Sequence, residues 1–99
     1  MDSNGYNPSI LPTSEDECFI CKRGGDLARH EVYFGNPNRQ NSKENGCWVY
    51  LCPTCHKRVH EDTASGFDHY LKVTCQKQFT RSHTVDEFVK IFGRRYDSD

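Results

Sequence analysis

Two Cys-x-x-Cys pairs constrain the fold of this chain more than any other feature of its sequence. They are Cys18 with Cys21 and Cys52 with Cys55, and thirty residues separate them. Each pair turns tightly enough to place two thiolates on one ion, and together they complete the tetrahedral ligand set of a structural zinc site. One Cys-x-x-Cys pair is also the motif of thiol redox proteins, but a lone redox motif would not occur twice. The spacing therefore predicts a zinc ion that ties two distant segments together.

The small size of the chain makes such a tie necessary. With 99 residues, of which 34% are apolar, it forms one domain that buries little surface. Six cysteines indicate either disulfides in an oxidising compartment or metal ligation in a reducing one. The N-terminal sequence lacks the basic and apolar regions of a signal peptide, and no stretch is apolar enough to span a membrane. We therefore expect a soluble, cytoplasmic protein whose thiols are free to bind metal.

The charges are unevenly distributed, although the net charge is only −1. Residues 1–17 carry four acids and no base, whereas residues 18–60 carry seven bases and three acids, and residues 61–99 have a net charge of −1. The segment with the cysteine pairs is therefore the basic one. A polyanionic partner would explain this pattern, and so would an ordinary solvated surface.

The chain divides into a short arm and one α+β domain. Residues 1–17 contain prolines and clustered acids without periodicity, so we expect a disordered or loosely attached acidic arm. The domain comprises residues 18–99. Two strands are predicted in it, at residues 27–34 and 47–51, with the turn-rich residues 35–46 as a long loop between them.

Three helices are predicted after the second strand. Pro53 suits the first turn of a short helix over about residues 53–60. Apolar side chains at helical spacing predict a second helix within residues 67–79. A capping box that begins at Thr84, followed by a glycine stop signal, predicts a third helix over about residues 85–92.

Two histidines follow the second cysteine pair in the stretch LCPTCHKRVH, residues 51–60. They cannot join those cysteines around one ion, because a two-cysteine, two-histidine finger needs a spacer of about a dozen residues between the pairs. His56 and His60 are instead four positions apart, on one face of the predicted helix and about 6 Å from each other. They can chelate a second metal ion, with His30 as a third candidate ligand and Glu31 beside it. Exposed histidines without a ligand are the alternative.

The stretches CFICKRGGDLARHEV and WVYLCPTCHKRVH resemble, in order, the two half-motifs of HNH, or ββα-metal, endonucleases that carry an added four-cysteine zinc. This likeness covers residues 18–60. RHEVYFGNPNR, YLCPTCH, CQKQF and FVKIFGRRY extend it to small phage-encoded HNH-type proteins, as far as residue 96. The resemblance implies a zinc-stapled, treble-clef-like ββα core, to which residues 61–99 add two C-terminal helices. It also implies metal-dependent hydrolysis or nicking of DNA, in the host cytoplasm if the chain is phage-encoded.

The resemblance also assigns roles to individual residues. Leu27 sets the alignment with the family's first strand, where a metal ligand and the general base follow a leucine by three and four residues. His30 therefore matches the metal ligand, and Glu31 stands at the place of the general base, which is usually histidine. His56 matches the ligand that follows the second cysteine pair, and His60 matches a further ligand of some members. The catalytic divalent ion is then Zn, Ni or Mn, or Mg where Glu31 helps to bind it.

Glu31 departs from the family pattern, and its role has three interpretations. As a base it is weaker than histidine. It can instead ligate the metal. It can also be an ordinary strand residue that pairs with Arg29 or Arg39.

Cys47 is the second departure, because it occupies the place of an asparagine that braces the loop carrying the base. Asn45 and Asn38 are nearby candidates for that bracing role. Cys47 itself is expected to be a small core residue, like Cys75 in the predicted second helix.

Four basic side chains are candidates for contacts with DNA phosphates, with salt-sensitive binding as the consequence. They are Arg39, Lys43, Lys57 and Arg58. The expected partner is double-stranded DNA, with no membrane partner. The alternative function is a noncatalytic zinc-binding module that binds nucleic acid or a host protein, and the two departures from the family pattern favour it.

Overall fold

Two short antiparallel strands and four helices make up the fold in the computed structural model, which describes residues 2–97. In chain order they are β1 (Ala28–Glu31), α1 (Asn38–Glu44), β2 (Trp48–Leu51), α2 (Pro53–Glu61), α3 (Phe67–Phe79) and α4 (Val85–Phe92). A short 3₁₀ turn, Thr63–Ser65, joins α2 to α3. Within the described residues, no helix has the length and apolar character needed to cross a membrane.

The two strands pair antiparallel, in one defined register. His30 lies opposite Val49, and Glu31 lies opposite Trp48. The strand predicted over residues 27–34 is confirmed only in its first half, because β1 ends at Glu31. The pairing brings the first half of the chain against the segment that leads into α2.

Ser42, in α1, explains both the early end of β1 and the presence of a helix in the predicted loop. Its hydroxyl donates to the Tyr33 carbonyl at 2.6 Å and accepts from the Tyr33 amide at 3.1 Å, which removes Tyr33 from the strand ladder. The prediction of a loop throughout residues 35–46 is wrong, because α1 lies within it. The side chains of Asn38 and Asn41 donate to carbonyl groups at the C-terminal end of α4, at 3.0 and 2.9 Å. These tertiary bonds override the loop-like composition of the segment.

The structure confirms the three later helices close to their predicted bounds. Pro53 lies in the first turn of α2, and Cys52 is its N-cap. The Glu87 amide donates to Thr84 Oγ1 at 3.1 Å, and the Thr84 amide donates to Glu87 Oε1 at 3.2 Å, so both bonds of the capping box are present. Gly93 ends α4 with a φ of +92°, a left-handed conformation that only a residue without Cβ adopts readily.

Tyr33 lies at the centre of the core. Its ring centroid lies 5.2 Å from that of Phe88 and 4.4 Å from that of Phe92, so the hairpin packs directly against α4. Cys47 and Cys75 are fully buried, which confirms their prediction as small core residues. The two C-terminal helices therefore belong to the same core as the sheet.

The N-terminal segment, residues 2–17, is attached to the sheet, which corrects the expectation of a loose arm over residues 1–17; Met1 lies outside the described residues. Trp48 Nε1 donates to the Asn7 carbonyl at 2.8 Å, and Ser9 Oγ donates to the Trp48 carbonyl at 2.6 Å. Leu11 is only 5% exposed and belongs to the core. The composition of the segment concealed these contacts because their partners lie about forty positions later in the chain.

Leu11→Ala should lower the free energy of unfolding by about 2–3 kcal/mol, because it removes a buried side chain and leaves a cavity. Urea denaturation followed by circular dichroism measures the change. Glu15→Ala is the control, since Glu15 is exposed and should change stability by no more than about 0.5 kcal/mol. If Leu11→Ala is as stable as the wild type, the segment does not contribute to the core.

Candidate metal centres

Four cysteine sulfurs lie close together, as the two Cys-x-x-Cys pairs predict. The Sγ atoms of Cys18, Cys21, Cys52 and Cys55 all lie within 4.8 Å of one another. The 3.6 Å between Cys21 Sγ and Cys52 Sγ is near the edge of about 3.8 Å in a tetrahedron with Zn–S bonds of about 2.3 Å. It is far longer than a disulfide bond of about 2.05 Å. Three of the four residues are buried, so the cluster can bind a metal such as zinc in a closed, structural site.

Backbone hydrogen bonds shape the first Cys-x-x-Cys turn. The Lys22 amide donates to the Cys18 carbonyl at 2.9 Å, and Lys22 adopts a φ of +68°, which reverses the chain just after Cys21. The Phe19 amide donates to the Tyr50 carbonyl at 2.8 Å. The turn is therefore fixed to β2, the strand that leads into the second cysteine pair.

The environment of Cys18 favours a thiolate. Burial raises its pKa, but the backbone N–H groups of Cys21, Cys52 and Ile20 oppose this and bring the pKa of Cys18 to about 6. Burial and then the neighbouring cysteine side chains raise the pKa of Cys55. Four thiolates at these distances repel one another, and a divalent cation among them removes that repulsion.

Three histidines form a second cluster, in which His30 comes from β1 and His56 and His60 come from α2. Their ring centroids make a triangle with three sides of 5.1 Å, and each ring offers a nitrogen within 4.8 Å of the others. His30 is 2% exposed, His56 is half-buried and His60 is exposed, so the triangle is open on one side. Among the described residues, the buried Nε2 of His30 has no hydrogen-bond partner. A metal ion bound by the three rings would supply that partner.

Burial keeps the His30 imidazole neutral. It lowers the pKa of His30 to about 3, and the nearby His56, His60 and Lys72 contribute in the same direction. The pKa of His56 is also lowered, first by burial and then by His60, while Glu31 opposes the shift. Neutral imidazole is the form that binds metals. Three imidazole nitrogens suit zinc, nickel or manganese better than magnesium, which prefers oxygen ligands.

The histidine triangle lies in a groove of about 710 Å³. The walls of the groove also carry the carboxylate of Glu31 and the basic side chains of Arg29, Arg39 and Lys43. One concave surface therefore combines three metal-binding nitrogens, a carboxylate and three cations. Such a surface can accommodate an anionic ligand next to a bound divalent ion.

The four predicted phosphate contacts divide into two groups. Arg39 and Lys43 line the groove. Lys57 and Arg58 are exposed on α2 and do not line it, because they are turned about 100° and 200° around the helix from His56. A ligand in the groove can therefore contact Arg39 and Lys43, whereas the other two cations point elsewhere.

Glu31 is held by two donors and does not belong to either metal-binding cluster of the described residues. Its carboxylate is 7% exposed and accepts from Tyr6 Oη at 2.7 Å and from Arg39 Nε at 2.6 Å. Of the two predicted pairings, the structure has the one with Arg39, while Arg29 pairs with Asp2 at 2.8 Å. Burial and then the bond to Glu31 raise the pKa of Tyr6 to about 12, so the phenol remains a donor.

Cys47 takes no part in the groove, because it is buried in the core. The two asparagines proposed as braces bond elsewhere. Asn38 donates to the Phe92 carbonyl at 3.0 Å, and Asn45 donates to the Asn41 carbonyl at 2.8 Å. The bracing of the groove carboxylate therefore comes from Tyr6 and Arg39, and no asparagine is needed for it.

Sequence reasoning missed two residues of this region. The sequence predicts Arg29 only as an ion-pair partner of Glu31, although it stands two positions before Glu31 and strand periodicity places both on one face. Tyr6 lies 25 positions from Glu31, and no local pattern connects the two.

Comparison with known proteins gives no family assignment, because no protein-family model, no curated protein and no solved structure matches this chain. The function is therefore inferred from the cysteine cluster, the histidine triangle and the groove.

Proposed function

We propose that the protein is a metal-dependent endonuclease of the HNH kind, which hydrolyses or nicks phosphodiester bonds of DNA. The observation that carries this proposal is the open triangle of His30, His56 and His60 inside a groove with a carboxylate and basic side chains. Three protein ligands and an open position are typical of catalytic metal sites, whereas four ligands are typical of structural ones. Phosphodiester hydrolysis requires a Lewis acid, a base and cations along the substrate backbone.

Helix α2 connects the two clusters. It begins at the second cysteine pair, Cys52 and Cys55, and continues with His56 and His60. A zinc ion in the cysteine cluster would fix the position of this helix against the sheet, and β1 would supply the third imidazole. In this proposal the cysteine cluster is structural and the histidine triangle is catalytic.

The residues of the groove have different roles in the proposed reaction. A divalent ion held by His30, His56 and His60 would supply a Lewis acid for a phosphate oxygen. The three imidazoles would hold the ion and would leave the groove side open for the substrate. Glu31 would accept a proton from the attacking water as the water oxygen bonds to phosphorus. The bond between phosphorus and the leaving sugar oxygen would break, and that oxygen would take a proton from solvent. The carboxylate of Glu31 has about four acceptor positions, of which Tyr6 and Arg39 take two and also fix its orientation.

One observation favours the alternative, a noncatalytic zinc-binding module that binds nucleic acid or another protein. Glu31 of β1 and Arg39 of α1 form a direct ion pair at 2.6 Å. A carboxylate that serves only this pair would not activate water. The groove would then bind an anionic partner without cleaving it.

Titration with metal ions distinguishes the two functions. The folded, zinc-containing protein should nick supercoiled plasmid DNA when manganese, nickel or zinc is added, and less efficiently with magnesium, because the triangle offers only nitrogen ligands. Agarose gel electrophoresis measures the nicked and linear products. If none of these four ions supports cleavage by protein that remains folded and binds DNA, the noncatalytic module is the correct function.

A further inference from the structure

Arg29 lines the groove but has no part in the proposed reaction. Three aromatic rings lie close to its guanidinium, with Cζ 4.5 Å from the ring centroid of Tyr6, 4.9 Å from that of Trp48 and 5.8 Å from that of Tyr50. Its Nε also donates to the Tyr50 hydroxyl at 3.4 Å. A guanidinium held in this way presents its remaining N–H groups in a fixed direction, so little side-chain entropy is lost when it binds an anion.

Asp2 forms an ion pair with this guanidinium. Its Oδ2 lies 2.8 Å from Arg29 Nη1, while its Oδ1 accepts from the backbone N–H groups of Asn4 and Tyr6 at 2.9 and 3.0 Å. Asp2 is exposed, and an ion pair in contact with solvent contributes little net stability. The carboxylate therefore marks where an anion binds, but it is not held firmly enough to exclude a competitor.

We propose that Arg29 is a phosphate-binding subsite of the groove, and that the Asp2 carboxylate occupies this subsite until a DNA phosphodiester displaces it. The planar guanidinium matches two phosphate oxygens, whereas a single carboxylate oxygen of Asp2 contacts it in the structure. Lys43 Nζ lies 5.0 Å from the ring centroid of Tyr6, so two groove cations flank the same ring. This inference rests on the proposed function, because it takes DNA as the anion.

A tryptophan beside Arg29 allows binding at the subsite to be measured by fluorescence. Trp48 is the single tryptophan of the chain, and its ring contacts the Arg29 guanidinium. Full-length, zinc-containing protein is titrated with a short DNA duplex at several salt concentrations, without added divalent ions, and tryptophan fluorescence gives the dissociation constant. Omitting the added ions separates binding from cleavage.

Three variants define the expected result. Arg29→Met should weaken duplex binding about tenfold and lower the slope of log affinity against log salt by about one, because one phosphate contact is lost. Asp2→Asn should tighten binding about threefold more than Asp26→Asn. Each substitution removes one negative charge, but Asp26 neither lines the groove nor forms an ion pair within the described residues. In the Arg29→Met background, Asp2→Asn and Asp26→Asn should have the same affinity.

The proposal is wrong if Arg29→Met binds the duplex as tightly as the wild type, or if Asp2→Asn binds like Asp26→Asn. If Arg29→Met does not fold, Arg29→Lys replaces it. That variant keeps the charge but not the planar fork, so its affinity should fall severalfold, and an unchanged affinity overturns the subsite.

Cleavage by His56→Ala separates this inference from the proposed function. If His56→Ala loses cleavage but the Arg29 and Asp2 variants bind DNA like the wild type, only the proposed subsite is wrong. If the binding changes are as expected but His56→Ala cleaves as well as the wild type, the subsite is supported and only the proposed reaction is wrong.

Discussion

Replacing Cys18 or Cys55 with serine should leave the chain unfolded or insoluble, whereas the wild-type protein should contain about one zinc ion per chain. Both residues are buried in the cysteine cluster. In small zinc domains the metal contributes about 10–16 kcal/mol, which is comparable to or greater than the total stability of about 5–15 kcal/mol for a folded domain. Losing one ligand therefore removes more free energy than this small core can replace. Elemental analysis of protein purified without added metal measures the zinc, and circular dichroism measures the folding.

Cys75→Ala is the matched control, because Cys75 is a buried cysteine outside the cluster. It should lower the free energy of unfolding by only about 1 kcal/mol and leave the zinc content unchanged. A double variant of Cys18 and Cys55 that is soluble, folded and free of zinc would show that the cluster does not hold the fold together.

The elements that could be predicted from the sequence are those with local signals at their ends. Pro53 marks the first turn of α2 because a residue without an N–H loses nothing there. Thr84 and Glu87 satisfy the free amides at the start of α4 through bonds within four consecutive residues. Information of this kind is contained in the segment itself, and it does not depend on the rest of the fold.

The elements that could not be predicted depend on distant partners. α1 consists of polar and turn-forming residues, and its helical conformation depends on bonds from Asn38 and Asn41 to α4, about fifty positions away. The N-terminal segment is similar, since Trp48 is what holds Asn7 and Ser9 in place. A propensity argument considers each segment alone, and it therefore assigned both of these to loop or disorder.

The candidate site shows the same division. The two Cys-x-x-Cys pairs and the His56–His60 pair follow from spacing, because such turns and an i, i+4 pair on a helix position their own side chains. The ligand role of His30 comes instead from the resemblance to HNH endonucleases. The hydrogen-bond partners of Glu31 do not follow from spacing, since Tyr6 lies in the N-terminal segment and Arg39 lies in α1. Ligand positions could therefore be read from the sequence, whereas the hydrogen bonds that orient the neighbouring carboxylate required the tertiary structure.

His56→Ala and His30→Ala should each lower the rate of metal-dependent plasmid cleavage by about 1,000-fold or more. Each removes one of three imidazoles, and a catalytic ion contributes several kcal/mol of transition-state stabilisation. The zinc bound by the cysteine cluster should not change, because neither residue belongs to that cluster. The melting temperature of His56→Ala should remain close to that of the wild type, since His56 is half-buried and forms no side-chain hydrogen bond within the described residues. Cleavage, zinc content and thermal denaturation are measured on the same preparations.

Two further variants decide whether such a loss reflects the metal or a general disturbance. His69→Ala changes an exposed histidine of α3 outside the triangle and should cleave like the wild type. Glu31→Gln keeps the shape of the side chain but removes the proton acceptor, so the rate should fall about 100-fold and excess metal should not restore it. Excess metal should restore part of the rate in His56→Ala, because the remaining two imidazoles still bind the ion weakly. Equal cleavage by the wild type, His30→Ala and His56→Ala would mean that a contaminating nuclease cuts the plasmid, and the histidine triangle would then have no catalytic role.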